Sequence, residues 1–233
     1  MEISLENNRG DILATFVISD LHLSFGVNKP MDIFGERWNN YEEKIKKDWL
    51  SKVHEEDFVI IAGDFSWATY LNEALEDFKW IDSLPGTKII LKGNHDYWWE
   101  TVTKMNRFLK DNNINSIVFL YNNCIETDSY LICGTRYWND EDGMDNEKIY
   151  NREIERAKIS LNFAKNIDSD KPICMCTHYP PDERILAALE DYDIKLWIYA
   201  HIHSNYDEHI ANTGNIKSIL TSCDYMNFKL LEI

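Results

Sequence analysis

The sequence predicts an α/β fold with two β-sheets and helices outside them. Up to Leu91, short β-branched runs alternate with amphipathic helical stripes, which is the pattern of a parallel sheet. Further along, the apolar runs become short and follow one another across tight turns, and the tail again has a turn between apolar runs. We therefore expect one sheet of alternating strands and helices, and a second sheet that is more antiparallel.

Local patterns predict the individual elements. Apolar, β-branched runs predict strands at residues 12–19, 57–62, 87–91, 117–120, 124–127, 130–133, 172–177 and 195–199. Apolar residues at helical spacing predict helices over residues 41–53, 71–81, 98–110 and 150–164. The tail, residues 212–233, is predicted to form antiparallel strands around the turn Asn212-Thr213-Gly214-Asn215.

Length and composition limit the class of protein. The chain has 233 residues, and we expect one domain over residues 1–233. Its net charge of −16 works against binding to nucleic acid, which depends on Lys and Arg, and against anionic membranes. No stretch resembles a signal peptide or a transmembrane helix. The five cysteines include no C-x-x-C pair, so we expect a reduced, cytoplasmic protein. A metal site formed by Cys174, Cys176 and His178 is the alternative for two of them.

Five of the predicted strands end in side chains that bind metals or transfer protons. Five of the seven histidines lie at these ends, in company with Asp or Asn. One histidine after a strand is usually a surface or core group, but the carboxyl ends of strands in α/β proteins are where ligands bind. The joint pattern therefore predicts a single metal site. Its members are Asp20-Leu21-His22, Gly63-Asp64, Gly93-Asn94-His95-Asp96, His178 and His201-Ile202-His203.

The types of these side chains indicate which metals fit. Oxygen and imidazole ligands without thiolate suit divalent ions such as Mn, Fe or Zn. Seven groups are too many for one tetrahedral ion but fit two ions that share a carboxylate. Two ions about 3.5–4 Å apart form a clamp for phosphoryl displacement. Their four positive charges outweigh Asp20, Asp64 and a bridging hydroxide, so the site can attract a phosphate ester inside an acidic protein.

The ordered motifs closely resemble those of the calcineurin-like metallophosphoesterases, from about residue 12 to residue 204. The resemblance implies a four-layer α/β/β/α sandwich with two mixed sheets and a di-metal centre at the strand ends. It also implies that His95 is the general acid that protonates the leaving oxygen, while a metal-bound hydroxide attacks in line from the opposite side. The implied ligands are Asp20, His22 and His203 for one ion, Asn94, His178 and His201 for the other, and Asp64 as the bridge.

Two departures from the family's pattern bear on this site. Ala200 replaces the glycine that commonly precedes the His-x-His pair, which is a small change. In the protein-phosphatase branch, an aspartate three residues after Gly-Asp orients the catalytic histidine, and an arginine follows. Here Trp67 and Ala68 take those places, which disfavours a protein phosphatase and leaves the orientation of His95 unexplained. The adjacent Asp96 is predicted to cap the next helix rather than to join the chemistry.

The groups that bind substrate are predicted from residue type. Arg136, which follows a strand and a glycine, and Arg37, in an aromatic-rich loop, are candidates for binding phosphate oxygens. Four tryptophans are candidates either for a cleft that stacks a flat group or for core and subunit packing: Trp38, Trp67, Trp98 and Trp99. The sequence thus predicts a di-metal phosphohydrolase for a small phosphodiester, phosphomonoester or nucleotide. A non-catalytic metal-binding scaffold of the same fold is the alternative.

Overall fold

The computed structural model describes residues 13–138, 147–206 and 210–233. The strands within these ranges are β1 (Thr15–Val17), β2 (Phe58–Ile61), β3 (Thr87–Leu91), β4 (Ile117–Leu120), β5 (Cys124–Glu126), β6 (Leu131–Thr135), β7 (Ile173–Thr177), β8 (Ile194–Tyr199), β9 (Lys217–Leu220) and β10 (Leu231–Glu232). The helices there are α1 (Tyr41–Lys52), α2 (Leu75–Asp82), α3 (Val102–Asp111), α4 (Glu147–Lys165) and α5 (Glu183–Ala188), with short 3-10 turns at Met31–Phe34 and Glu36–Trp38. None of these described helices has the length and apolar character to cross a bilayer.

The strands form two sheets of five strands each. In the first sheet, β1 to β4 are parallel neighbours in chain order, and β10 pairs antiparallel with β1. Helices α1, α2 and α3 connect these parallel strands, which confirms the predicted alternation of strand and helix. In the second sheet, β6 to β9 are parallel and β5 pairs antiparallel with β6.

The second sheet and the tail differ from the prediction. We expected mainly antiparallel pairing there, but β9 is parallel to β8, and β10 crosses to the edge of the first sheet. That prediction is wrong. A short apolar run has the same sequence pattern whether it pairs parallel or antiparallel with its neighbour. The length of the connecting chain therefore decides the orientation. The chain between Tyr199 and Lys217 is long enough for the crossover that parallel neighbours require.

Three buried apolar clusters show how the elements are layered. Val59 and Ile61 of β2 face the helices that cover the first sheet, whereas Ile60 between them faces the second sheet. On β8, Ile198 points into the same space between the sheets, and Trp197 packs with residues of α4 on the outer side. Successive side chains of a strand point to opposite faces, so each sheet is covered on both sides. The order helix, sheet, sheet, helix confirms the predicted four-layer sandwich.

The helix after β3 begins later than the sequence suggested. It starts at Val102, and Thr101 is its N-cap, since Oγ1 of Thr101 accepts the N–H of Lys104 at 3.3 Å. Asp96 is separated from this helix by a non-helical stretch, so the prediction that it caps the helix is wrong. The carboxylate has a different set of partners, described with the site below.

Candidate metal centre

The loops that follow four strands are joined by backbone hydrogen bonds at one edge of the sandwich. The N–H of Asp20 donates to the carbonyl of Gly63 at 3.1 Å, which ties the loop after β1 to the loop after β2. The N–H of Ala200 donates to the carbonyl of His178 at 3.0 Å, which ties the loops after β7 and β8. The N–H of His201 donates to Oδ2 of Asp20 at 2.9 Å and so joins the two sheets. The predicted site residues therefore lie together.

Several of these residues hold unusual backbone conformations. The φ angles of four predicted ligands lie in the left-handed region, which residues other than glycine seldom adopt. Such conformations cluster at functional sites, where the surrounding structure enforces them. Here they turn each loop sharply as its strand ends. The four residues are Asp20 (56°), His22 (46°), Asp64 (51°) and His201 (73°).

Two glycines allow the loops to approach closely. A Cβ atom on Gly93 would lie 2.0 Å from Oδ1 of Asp64, and one on Gly63 would lie 2.5 Å from Nδ1 of His178. Gly63 also has a φ of +100°. Any larger residue at either position would push Asp64 or His178 out of place. This is the reason for glycine in both the Gly-Asp and the Gly-Asn-His-Asp motifs.

The first group of predicted ligands converges on one point. Asp20, His22 and His203 each offer one ligand atom, and these atoms lie within 4.8 Å of one another. The Nε2 atoms of His22 and His203 are 3.3 Å apart, and Nε2 of His203 lies 4.0 Å from Oδ2 of Asp20. Oδ1 of Asp20 is buried and has no hydrogen-bond partner among the described residues. That unpartnered oxygen lies 3.8 Å from Nδ1 of His178, and a buried carboxylate with one free oxygen among imidazoles fits a cation.

The second group of predicted ligands consists of Asn94, His178 and His201. Within it, His178 makes two contacts that a neutral imidazole cannot both satisfy. Nδ1 of His178 lies 2.9 Å from the carbonyl oxygen of Ala62, and its Nε2 lies 2.7 Å from Oδ1 of Asn94. Burial pushes the pKa of His178 well below its ordinary value, so the ring is neutral and carries one proton. With the Asn94 amide oriented as it is, one nitrogen lone pair faces an oxygen. A metal ion held by His178 and Asn94 would remove this conflict, and Nδ1 of His201 lies 3.0 Å from the same oxygen.

Asp64 lies between the two groups. Its Oδ1 accepts the N–H of His95 at 2.8 Å. Its Oδ2 is buried without a hydrogen-bond partner in the described structure, 3.7 Å from Nε2 of His22 and 3.5 Å from Nε2 of His178. A further set of candidate ligands, which overlaps both predicted groups, accordingly consists of Asp20, Asp64 and His178. One free carboxylate oxygen between two sets of ligands is the arrangement that a bridging ligand needs.

The electrostatics of the site also favour metal ions. Burial raises the pKa of Asp20 to about 6 and raises the pKa of Asp64 well above its ordinary value, which the charges of Asp96 and Asp20 reinforce. Burial lowers the pKa of His201 to about 4 and that of His22 well below its ordinary value. Burial lowers the pKa of His203, but the Asp224 hydrogen bond and the Asp20 charge outweigh it and raise that pKa, so His203 can offset part of the carboxylate charge. The neutral imidazoles of His22 and His201 cannot compensate the rest. Divalent cations would supply the missing charge, and neutral imidazoles are the form that coordinates them.

A supporting network around His203 was missed in the sequence. Nδ1 of His203 lies 3.0 Å from Oδ1 of Asp224, which leaves Nε2 directed to the first ligand group. Oδ2 of Asp224 lies 2.6 Å from the Arg37 guanidinium and accepts the hydroxyl of Tyr206 at 2.9 Å. Arg37 also donates to the carbonyl of His203 at 3.0 Å. Histidines that bind metals commonly donate their other nitrogen to a carboxylate. No local motif marks Asp224, because it lies in the tail beyond β9.

Asp96 ties two of the loops together. It is fully buried, and its Oδ2 accepts the N–H groups of Gly93 at 2.7 Å and Asp64 at 2.9 Å. Its Oδ1 accepts the N–H groups of Phe65 at 2.9 Å and Ser66 at 3.2 Å, and the indole N–H of Trp98 at 2.9 Å. Five donors on one carboxylate fix the loop of Asp64 against the loop of Asn94. The residue expected to cap a helix instead supports the predicted ligands.

The remaining candidate residues have distinct positions. His95 lies at the rim of the site, with its ring centroid 5.7 Å from that of His22. Arg136 is half-buried: its carbonyl accepts the N–H of His178 at 3.1 Å, and its guanidinium lies 4.5 Å from the Trp138 ring centroid. Arg37 makes its described contacts with the loop of His203 and with Asp224. Binding of a substrate phosphate by Arg136 or Arg37 stays a prediction.

The tryptophans and cysteines divide between core and site. Trp98 and Trp99 are buried in the cluster between the first sheet and its helices, which favours core packing over a stacking cleft. Trp38 is buried in the same cluster, but its ring also contacts His22 and His203, with centroids 6.5 and 6.2 Å apart. Trp67 is half-buried and contacts the site histidines. Cys174 and Cys176 lie between the sheets, and neither belongs to a candidate ligand group among the described residues.

Sequence comparison gives the family to which this fold and candidate metal site correspond. The model for the calcineurin-like phosphoesterases matches residues 13–205. The chain belongs to the calcineurin-like phosphoesterase family. The earlier resemblance is thereby confirmed, and so is the sandwich that it implied. The comparison with curated protein sequences found no match.

Solved structures share this fold at low sequence identity. The crystal structure of the protein of unknown function AQ665 from Aquifex aeolicus is 21% identical, with a TM-score of 0.54, and the match covers 94% of this chain and 95% of that one. The structure of TT1561 of Thermus thermophilus is 12% identical, with a TM-score of 0.53, over 95% of this chain and 98% of that one. These likenesses show the fold alone.

Proposed function

We propose that the protein is a di-metal phosphohydrolase that cleaves a small phosphodiester or phosphomonoester. The observation that supports this most directly is Oδ2 of Asp64, which is buried, unpartnered in the described structure and placed between His22 and His178. Family membership gives the reaction class, a phosphoester hydrolase. The donor set of oxygen and imidazole fits Mn, Fe or Zn as the pair of divalent ions.

Each ligand has a defined part in holding the ions. Asp20, His22 and His203 would hold one, and Asn94, His178 and His201 the other, with Asp64 shared. When bound, such ions polarise phosphoryl oxygens and lower the pKa of coordinated water. The chain's own contribution is to fix the ligands, through Asp224 for His203 and the Ala62 carbonyl for His178.

His95 is proposed as the proton donor to the leaving oxygen. In an in-line displacement the leaving oxygen departs opposite the attacking water, so its proton donor belongs at the rim rather than among the ligands. His95 fits, since its backbone N–H is held by Asp64 while its ring lies beside the first ligand group. Burial, and then the charges of His203 and Lys29, lower the pKa of His95. A bound phosphate beside the ring favours its protonated form.

The substrate is proposed to be a small phosphorylated molecule, possessing a phosphate that Arg136 binds. A nucleic acid substrate is disfavoured by the net charge of −16. A protein phosphatase is disfavoured because Trp67 stands where that branch has its aspartate. We expect the protein to act in the cytoplasm as one domain.

A panel of phosphoesters with metal analysis on the same sample tests the proposal. The purified chain should bind two ions and hydrolyse aryl or alkyl esters with Mn²⁺ supplied. Asp64→Asn keeps an acceptor for the His95 N–H but removes the charge, so it should lose metal and activity together. His95→Asn should keep both ions and lose about 10²–10⁴-fold in turnover.

The control is Asp82→Asn, since Asp82 contacts Ser116 just before β4, at the opposite edge of the first sheet. It should change neither metal content nor turnover. Full metal content in Asp64→Asn would refute the bridging assignment. A protein that binds two ions and cleaves no ester in the panel would be the non-catalytic scaffold.

A further inference from the structure

We propose that Trp67 is the residue that positions His95 for proton transfer. The inference rests on the proposed function, because it assigns a partner to the proposed proton donor. Trp67 stands three residues after Asp64, and its indole lies against two imidazoles. Its ring centroid is 4.7 Å from that of His22, with the rings nearly parallel at 22°, and 4.5 Å from that of His95, at 50°.

The indole is itself held firmly. Its Nε1–H donates to the sulfur of Met31 at 3.0 Å, and its backbone N–H donates to the carbonyl of Leu23 at 2.8 Å. Nζ of Lys29 donates to the carbonyl of Trp67 at 3.1 Å and lies 5.5 Å from the ring centroid. A side chain fixed at its backbone, ring nitrogen and ring face can act as a rigid surface against which a neighbouring ring packs.

His95 has little else to orient its ring. Within the part of the chain that the structure describes, its imidazole makes ring contacts with His22, Trp67 and Tyr97, and no hydrogen bond or ion pair of this ring is present. The Tyr97 side chain is 62% exposed, and its ring centroid lies 6.3 Å away. Trp67 is thus the nearest and best-fixed neighbour. It restricts the ring by packing, where an aspartate would use a hydrogen bond.

A series of leaving groups separates positioning from mere structural support. Protonation matters most for poor leaving groups, such as alkoxides, and little for p-nitrophenolate. Trp67→Leu keeps an apolar side chain but removes the aromatic face. It should lower kcat about 10–100-fold on an alkyl ester and change kcat on the p-nitrophenyl ester and both KM values by less than about threefold. Trp67→Phe should restore most of the loss, because it restores an aromatic face.

The matched control is Trp80→Phe. Trp80 packs against the same apolar cluster, and its described ring contact is with Phe25 rather than with the site. Trp80→Phe should leave unchanged the ratio of kcat on the alkyl ester to kcat on the p-nitrophenyl ester. In the double variant with His95→Asn, Trp67→Leu should add no further loss on the alkyl ester, because two residues that act through one proton transfer are not additive.

Two further readouts do not depend on turnover. The imidazole C–H resonances of His95 should move when the indole ring current is removed in Trp67→Leu, and should stay in place in Trp80→Phe. Metal content should remain at two ions in every Trp67 variant. Loss of metal would show that Trp67 acts through His22 instead and would overturn the inference.

The inference would also be overturned, with the proposed function still standing, if Trp67→Leu lowered kcat equally for all leaving groups or left kcat on the alkyl ester unchanged. If the unaltered protein bound metal but cleaved no ester, the proposed function would fail and this inference with it. The two failures are distinguished by the activity of the unaltered protein alone.

Discussion

Replacement of Asp96 by asparagine tests how the metal ligands are held. The substitution keeps the size of the side chain but leaves one carbonyl oxygen as acceptor. That oxygen can keep the three donors of Oδ1, which are the N–H groups of Phe65, Ser66 and the Trp98 indole. The N–H groups of Gly93 and Asp64 then face the amide NH₂ group and lose their acceptor.

The magnitude follows from the two lost bonds. A hydrogen bond to a charged group contributes about 1.5–3 kcal/mol, so the free energy of unfolding should fall by about 3–6 kcal/mol. Burial works against the charge by raising the pKa of Asp96, and the N–H donors of Gly93 and Ser66 work in the other direction. For a domain of this size about 2–4 °C of Tm corresponds to each kcal/mol, so Tm should fall by about 6–24 °C.

Denaturant and thermal unfolding of the metal-free protein provide the assay. Asp82→Asn is the control, because Asp82 also accepts backbone N–H groups, from Asn115 at 3.1 Å and Ser116 at 2.9 Å, but through Oδ1 alone. Its asparagine can keep both bonds, so the loss should stay below about 1 kcal/mol. A loss of that small size in Asp96→Asn would refute the argument that the N–H groups of Gly93 and Asp64 need the second carboxylate oxygen.

Two further substitutions test the surroundings of the site. Asp224→Asn should weaken metal binding about 10–100-fold, measured by calorimetric titration, because the carboxylate orients His203; Tyr206→Phe, which leaves that contact intact, should change it little. Asp77→Asn should alter the pH dependence of stability. Burial raises the pKa of Asp77 from 3.8 to about 6, so the stability it contributes is present below pH 4 and lost as the pH rises through 6. The stability of the unaltered protein relative to Asp77→Asn should therefore fall by about 2–2.5 kcal/mol from pH 4 to 7, measured by urea unfolding at each pH. A difference that stayed constant with pH would contradict this.

The predicted ligands could be found in the sequence because each stands within a few residues of the end of a strand. A parallel sheet brings those ends to one edge, so proximity in space follows from position in the local pattern. His22 and His203 are separated by most of the chain, yet both were predictable for this reason. The layer order was predictable too, since the alternation of Val59, Ile60 and Ile61 between two apolar clusters is a property of the strand itself.

The supports of those ligands could not be found in the same way. Asp224 lies beyond the family match at residue 205, and it reaches His203 because β9 runs parallel to β8 and the chain continues past β9 beside Ser19. Asp96 has the local signature of a helix cap, an acidic residue before an amphipathic stripe. Three of its five donors, the N–H groups of Asp64, Phe65 and Ser66, come from the loop after β2, about thirty residues earlier, and no local pattern shows them.

The site therefore uses two kinds of support, and the chemistry of each residue explains the difference. A metal ligand must present one atom in one direction, so its support is directional: Asp224 holds Nδ1 of His203, and the Ala62 carbonyl faces Nδ1 of His178. His95 is supported by the face of Trp67, whose only ring N–H is turned to Met31 and which offers the imidazole no acceptor. Packing fixes where the ring lies but leaves both of its nitrogens available. The nitrogen that carries the proton is then set by what binds in the site, which suits a group that must deliver a proton to a leaving oxygen.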